Sequence, residues 1–338
     1  MGQQKNGKST KNDKVAKNGK VAKNDKTAKG AKNGKGTQAA KAAAAPKSSP
    51  VEPAGVLGFD VRPSAALRAP QHVSLATIDP NSTPGYRGRK AEGKETLKAA
   101  DDVLSQLQER YFAESRIGEK KDRVLLILQA MDTAGKGGIV RHVIGSVDPQ
   151  GVSHHAFKAP TRAELRHDFL WRIEKRLPEE GMLGVFDRSH YEDVLIHRVR
   201  GLSAPEEIER RYGAIRELEA GLAGSGTRVI KVMLHISKGE QHDRLAERLD
   251  RPDKHWKFSP ADIDERAVWD DYMEAYELAI RQTNTDEAPW YVVPANHKWY
   301  ARIAVQQLLI EALQDIDPQW PAADFDVKEQ KLRLAASV

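Results

Sequence analysis

The chain has 338 residues, no cysteine and a formal net charge of 54 − 48 = +6, so disulfide scaffolds, Cys–zinc sites and thiol catalysis are excluded. Residues 1–50 hold 13 Lys, no Arg and only Asp13 and Asp25, or 13 − 2 = +11, which leaves 41 − 46 = −5 for residues 51–338 and argues against a basic nucleic-acid-binding core. With no apolar run near the roughly 18 residues of a membrane span and no apolar secretory signal, the expectation is a soluble, cytoplasmic protein with no membrane partner.

Lys recurs at every third position from 5 to 35, a period that matches neither helix nor strand. With Gly and Asn interspersed and nothing apolar to bury, residues 1–55 are expected to be a disordered Lys-rich tail and linker. Two readings of the tail stand side by side, a solubilising segment and an electrostatic arm for a polyanion. Residues 56–122 read as an N-terminal extension that includes an amphipathic helix over 92–111, with Leu97, Val103, Leu104, Leu107 and Tyr111 at helical spacing. Short aliphatic or aromatic runs at 123–130, 152–157, 182–186, 228–236 and 290–293 then alternate with helical patterns. The helices are placed at 137–146, 161–177, 191–200, 205–223, 239–250, 261–283 and 297–315. This alternation predicts an α/β domain over 123–317, a parallel sheet covered on both faces in three layers, followed by a C-terminal tail over 318–338. Ligands are expected beyond the C-terminal ends of the strands.

The first strand runs into Ala130-Met131-Asp132-Thr133-Ala134-Gly135-Lys136-Gly137-Gly138 and then a helical Ile139-Val140-Arg141-His142. Against G-x-x-x-x-G-K-[ST], the Gly-Lys pair is kept, Ala130 replaces the first Gly, and Gly137 replaces the metal-binding hydroxyl. Small residues between a buried strand and a helix still let backbone N–H groups wrap a phosphate, and Lys136 supplies a point charge. Ala134, Gly135, Gly137, Gly138 and Arg141 are the candidate phosphate-binding residues, and Asp132 is the candidate substitute for the missing hydroxyl. The third strand ends in Asp187-Arg188-Ser189-His190-Tyr191. A carboxylate there can hold Mg²⁺, and a guanidinium beside it can stabilise transferring phosphoryl oxygens. The structural alternative for Asp187 is a helix N-cap. A third cluster, Arg244, Arg248, Arg251, Lys254 and Lys257 with Trp256 and Phe258, reads as a flap for an anionic substrate or as a solvated charged loop. His154, His155 and His190 lack metal-ligand spacing.

In these residues the chain resembles the polyphosphate kinase 2 family, over about residues 75–317. The resemblance rests on AMDTAGKGG with RHV following, DPQG, FKAPT, HDFLWR, FDRSHYEDVL, RLDRPDKHWKFSPAD and VPANHKWYAR, in that chain order. It implies a P-loop kinase-like domain with a helical lid at about 244–265, transferring phosphoryl groups between inorganic polyphosphate and nucleotides. It further implies Mg²⁺, with Mn²⁺ as a substitute, and a homo-oligomer. Position by position, Asp132 and Lys136 fall on the family's Walker A residues, and Asp187 and Arg188 on its Walker B residues. Arg248, Arg251, Lys254 and Lys257 become lid residues for polyphosphate. Asp132 and Asp187 are the metal-ligand candidates, with a base role for Asp132 left beside its metal role. His190-Tyr191-Glu192-Asp193 resembles the subgroup that phosphorylates both AMP and ADP, giving ADP and ATP. The tail lies outside the resemblance and is read as a contact for polyphosphate or nucleic acid. Two other functions remain, a nucleic-acid-associated protein with an inactive P-loop domain and an ATP-dependent small-molecule kinase.

Overall fold

Five short strands carry the apolar runs. In the computed structural model, which describes residues 57–117 and 120–337, these are β1 (Arg123–Ala130), β2 (Val152–Ala156), β3 (Leu183–Asp187), β4 (Thr227–His235) and β5 (Trp290–Pro294). The expected disordered tail over 1–55 lies outside the described residues. All pairings are parallel, in the order β2-β3-β1-β4-β5. The central strand β1 is buried from its second residue to its last, which is why its sequence is an unbroken apolar run instead of an alternation.

The helices of the described residues are α1 (Pro63–Ala66), α2 (Lys90–Ile117), α3 (Lys136–His142), α4 (Trp171–Glu174), α5 (Glu192–Val199), α6 (Pro205–Gly224), α7 (Lys238–Asp250), α8 (Ala261–Ala267), α9 (Trp269–Thr283), α10 (Lys298–Ile316) and α11 (Val327–Ala335), of which α8 and α11 bury no residue. Thirteen of the nineteen residues of α10 are buried, since it lies between the sheet and α2. The α2–α10 approach depends on Gly93, where a Cβ would come within 2.3 Å of the Trp299 ring. Residues 57–86 join the same core through Phe59, Leu67, Val73, Leu75 and Tyr86. Their segment also closes the sheet's open edge: Ala69 N–H donates to Trp290 O at 2.8 Å and Val292 N–H to Leu67 O at 2.9 Å, leaving β5 less available to another chain.

Three expected segments differ. Most of 161–177 is not helical. Thr161 and Glu164 cap one turn reciprocally, and then the Asp168 carboxylate takes the Leu170 N–H at 3.1 Å, so side chains satisfy the donors a helix would have used. The pattern over 261–283 breaks at Val268 into α8 and α9. Arg266 of α8 bonds Lys238 O on α7, whereas α9 buries Trp269 and Tyr272 in the core. One straight rod cannot meet both demands. Residues 318–338, expected as a tail, carry α11. Among the described residues no helix is long and apolar enough to cross a membrane.

Candidate active site

The chain leaves β1 toward β2 and β3 on one side and returns to β4 and β5 on the other, so the turn after β1 sits where the strand order reverses, a natural ligand crevice. Leu128 is in register with Asp187, and Ala130 with Leu234. The loop after β1 and the end of β3 therefore meet at one edge of the sheet.

The loop's shape is set by its backbone. Thr133 and Gly135 have φ of 69° and 124°, and the latter is a conformation that only glycine adopts without strain. The buried Arg244 of α7 holds the loop from behind: Nη1 donates to Thr133 O at 3.0 Å and Ala134 O at 2.9 Å, and Nη2 to Ala295 O at 2.7 Å and Asn296 O at 3.0 Å. Gln241 Nε2 adds a bond to Asp132 O at 3.2 Å. Ala134 N–H and Gly138 N–H are spent on Met131 O and Gly135 O, whereas those of Gly135, Lys136 and Gly137 have no backbone acceptor among the described residues. The free amides are the ones that can receive a phosphate oxygen.

A cavity of about 410 Å³ opens over this loop, and nine Lys or Arg line it against three carboxylates, Asp132, Asp187 and Glu247. Asp132, Lys136 and Asp187 are all in the lining, as are Ala134, Gly135, Gly137, Gly138 and Arg141. Lys136 Nζ donates to Ala130 O at 3.0 Å. Asp187 is not the N-cap of α5, which begins at Glu192 after Tyr191. Arg188 is outside the lining and sits behind Asp132, its Nη2 donating to Asp132 Oδ1 at 2.9 Å. It has φ 65°, a left-handed conformation that costs a non-glycine residue roughly 1–2 kcal/mol. Burial works against its charge, but Glu192 and Asp132 hold its pKa above the ordinary value. Burial pushes the Glu192 carboxyl up, against the pull of Arg188 and Lys136.

Arg248, Arg251, Lys254 and Lys257 line the opposite side of the cavity. They sit on the end of α7 and on the 3₁₀ turn Pro252–Lys257. Arg248 is tied to Lys257 O at 2.9 Å and Asp262 at 3.3 Å, and Arg251 to Glu247 at 3.0 Å and Asp253 at 2.9 Å. The fifth member of that sequence cluster, Arg244, is no flap cation, because its guanidinium is taken up by the four carbonyls named above and by Glu240 Oε1, to which Nε donates at 2.7 Å.

Sequence reasoning missed Lys298 and Arg302 of α10, which also line the cavity. Their signals were position, just past the last strand, and membership of the run VPANHKWYAR, to which no role had been assigned. Both have pKa values below the ordinary range, by burial first and then by neighbouring cations, Arg244 for Lys298 and Arg141 for Arg302. His142 is lowered by burial and then by Arg302 and Arg141. Mutual repulsion among these groups is relieved by a bound anion. His190, Tyr191, Glu192 and Asp193 are absent from the lining. His190 and Tyr191 instead face the buried Glu219, and Asp193 meets Arg172 and His197.

Among the described residues no group of three His, Asp or Glu is arranged to hold a metal. Asp132 and Asp187 offer hard oxygens on one cavity, a donor set that suits Mg²⁺, which takes one or two carboxylates and completes its shell with water and phosphate.

Residues 88–321 match the family model described as Polyphosphate kinase 2. An AMP/ADP-polyphosphate phosphotransferase of Meiothermus ruber is 46% identical over 247 residues, 73% of this chain and 91% of that protein. An ADP-polyphosphate phosphotransferase of Rhodopseudomonas palustris is 42% identical over 267 residues, 75% of this chain and 91% of that protein. The crystal structure of polyphosphate kinase 2 from Arthrobacter aurescens TC1 superposes with a TM-score of 0.80 at 59% identity, covering 82% of this chain and 98% of that one.

Proposed function

The chain belongs to the polyphosphate kinase 2 family, and from that membership we propose that it transfers phosphoryl groups between inorganic polyphosphate and nucleotides, AMP to ADP and ADP to ATP, reversibly and with Mg²⁺. The observation that carries the reading is the cavity at the C-terminal edge of the sheet, where nine basic side chains face three acidic ones. A linear polyanion and a nucleotide phosphate repel each other, and their approach needs a surplus of fixed positive charge. The Meiothermus relative's name supports both acceptors.

In the reaction, a nucleotide phosphate oxygen attacks the terminal phosphorus of polyphosphate. The new P–O bond forms as the terminal anhydride bond breaks, and the shortened chain leaves with the electron pair. The amides of Gly135, Lys136 and Gly137 and the Lys136 ammonium receive the non-bridging oxygens of the transferring group. Arg188, one step behind Asp132, stabilises the charge that grows on it. Arg248, Arg251, Lys254 and Lys257 hold the distal phosphates and form a lid over them, and Arg141 and Arg302 hold the opposite wall. Asp132 and Asp187 would hold Mg²⁺, which supplies further neutralisation of phosphate charge when bound. Asp132 as a base is the second reading, and it predicts that Asp132→Asn stays inactive at any Mg²⁺ concentration, whereas loss of a ligand is partly recovered by raising it.

The deciding experiment measures ADP and ATP formation from AMP and ADP with polyphosphate, ATP or no donor. Formation only with polyphosphate is expected. Use of ATP alone on a small molecule would favour the ordinary kinase, and no transfer together with DNA binding would favour the nucleic-acid-associated protein. Two further parts of the proposal are the tail as an arm for polyphosphate or nucleic acid and assembly into a dimer or tetramer, the latter read by sizing with light scattering.

A further inference from the structure

The mechanism leaves one element beside the site unused. Glu192, in the first turn of α5, is four residues after Arg188, and its Oε2 lies 4.0 Å from Arg188 Nη1. Asp132 Oδ1 takes the other arm of the same guanidinium at 2.9 Å. Gln129, fully buried at the penultimate position of β1, reaches the same carboxylate. With its amide nitrogen turned to Glu192, it donates to Oε1 at 2.9 Å while its oxygen accepts from Ser189 Oγ and N–H at 3.1 Å. That orientation pairs donors with acceptors, whereas the reverse sets the Gln129 oxygen against the carboxylate.

Arg188 therefore has two carboxylate anchors of different kinds. Asp132 lines the cavity and is exposed to whatever enters it, while Glu192 does not line it and is pinned from the central strand. Were the contact with Asp132 to loosen as substrate enters the cavity, the Glu192 side would be the remaining ion pair that constrains the guanidinium. A long side chain left with one free end loses rotamer order that the transition state would have to restore.

We propose that Glu192, held by Gln129, is a positioning residue that keeps the Arg188 guanidinium aimed at the transferring phosphoryl group. The proposal rests on the phosphotransferase reading above. It predicts an effect on turnover instead of binding, because the constraint matters when charge develops and not when polyphosphate first docks.

The test uses the full chain with polyphosphate and ADP. Glu192→Gln keeps the volume and a hydrogen-bonding partner for Gln129 but removes the charge. Its kcat should fall about tenfold or more with KM for both substrates within about threefold. Arg188→Ala should fall further, and adding Glu192→Gln to it should cost nothing more, since a residue acting through Arg188 has nothing left to position. Gln129→Met, which leaves the charge in place, should show a smaller loss of the same pattern and serves as the second variant if Glu192→Gln folds poorly. A kcat for Glu192→Gln within about twofold of wild type, a loss that appears in KM, or losses that multiply in the double variant would overturn the proposal. Failure of the underlying reading is separate, because the wild-type protein would then make no nucleotide from polyphosphate.

Discussion

Two of the places where the molecule sets basic side chains against carboxylates differ in how their charges are matched. Behind α5, Lys231 is fully buried and wholly answered: its Nζ donates to Glu219 Oε2 at 2.6 Å, Thr283 O at 2.7 Å and Tyr191 OH at 3.1 Å, and it lies 5.3 Å from the centre of the Trp290 ring. Tyr191 OH in turn donates to Glu219 Oε1 at 2.8 Å. At the cavity, nine cations line the walls with three carboxylates, and although Arg244, Arg248 and Arg251 also meet Glu240, Asp262 and Asp253 outside the lining, several of the nine stay partly open to solvent. One cluster is closed, so its charges specify packing. The other is left in surplus, so it calls for an anion from outside.

The sharpest way to break that contrast is to alter the open site. Asp187→Asn and Lys136→Ala should each lower transfer by about a thousandfold, roughly 4 kcal/mol in the barrier, while the melting temperature stays close to wild type. Turnover within about tenfold of wild type in either variant would show that the surplus charge is not organised for chemistry.

The closed cluster should answer in the opposite manner. Lys231→Met or Glu219→Ala strands a buried partner and should cost about 3–5 kcal/mol of stability, measured by denaturant unfolding, with KM unchanged in whatever remains folded. The double replacement Lys231→Met with Glu219→Leu should recover most of that loss. Although burial opposes its charge, Lys231 and His190 together hold the Glu219 carboxyl below the usual range. Its stabilising contribution is therefore present above the unfolded carboxylate pKa and is lost as pH falls through the lower folded value. Glu219→Gln should flatten that acid limb of stability, and an unchanged limb would place the acid sensitivity elsewhere.

A smaller effect is expected at the cavity rim. Lys257→Ala or Arg302→Ala should raise KM for polyphosphate by about three- to tenfold and weaken its salt dependence, with kcat little changed, because a rim charge supplies screened attraction more than transition-state contact. An effect confined to kcat would move that residue into the reacting centre. The smallest shift belongs to the segment with a charge of 13 − 2 = +11. Deleting residues 1–50 should raise KM for long polyphosphate modestly and flatten its salt slope, with less change for short chains. Identical KM and slope with and without the segment would remove the arm, and loss of duplex DNA binding on deletion would turn it into a nucleic-acid tether.

Much of the frame was legible locally. Every strand lies within two residues of its expected bounds because a buried parallel strand must be apolar along its whole length, and 123–130 or 228–236 satisfies that without reference to the rest of the chain. The helical reading of 161–177 failed because spacing does not register the bonds that Thr161 and Asp168 offer the backbone. At the site, the identities of Asp132, Lys136 and Asp187 could be read from a loop between strand and helix and from a strand end, since both are short-range patterns.

By itself, then, the sequence determined the order and kind of the elements and the small-residue loop that opens over the central strand, because these follow from burial and backbone freedom within a few positions. Only the tertiary structure decided which cations are spent and which remain for an anion. Arg244 and Arg248 sit four residues apart on one helix. The first is bound to loop carbonyls 110 and 111 positions away, while the second, tied to Lys257 O and Asp262, still faces the cavity. A charge's role depends on the partners that folding brings to it and on the water it excludes, and neither is written in the neighbouring sequence.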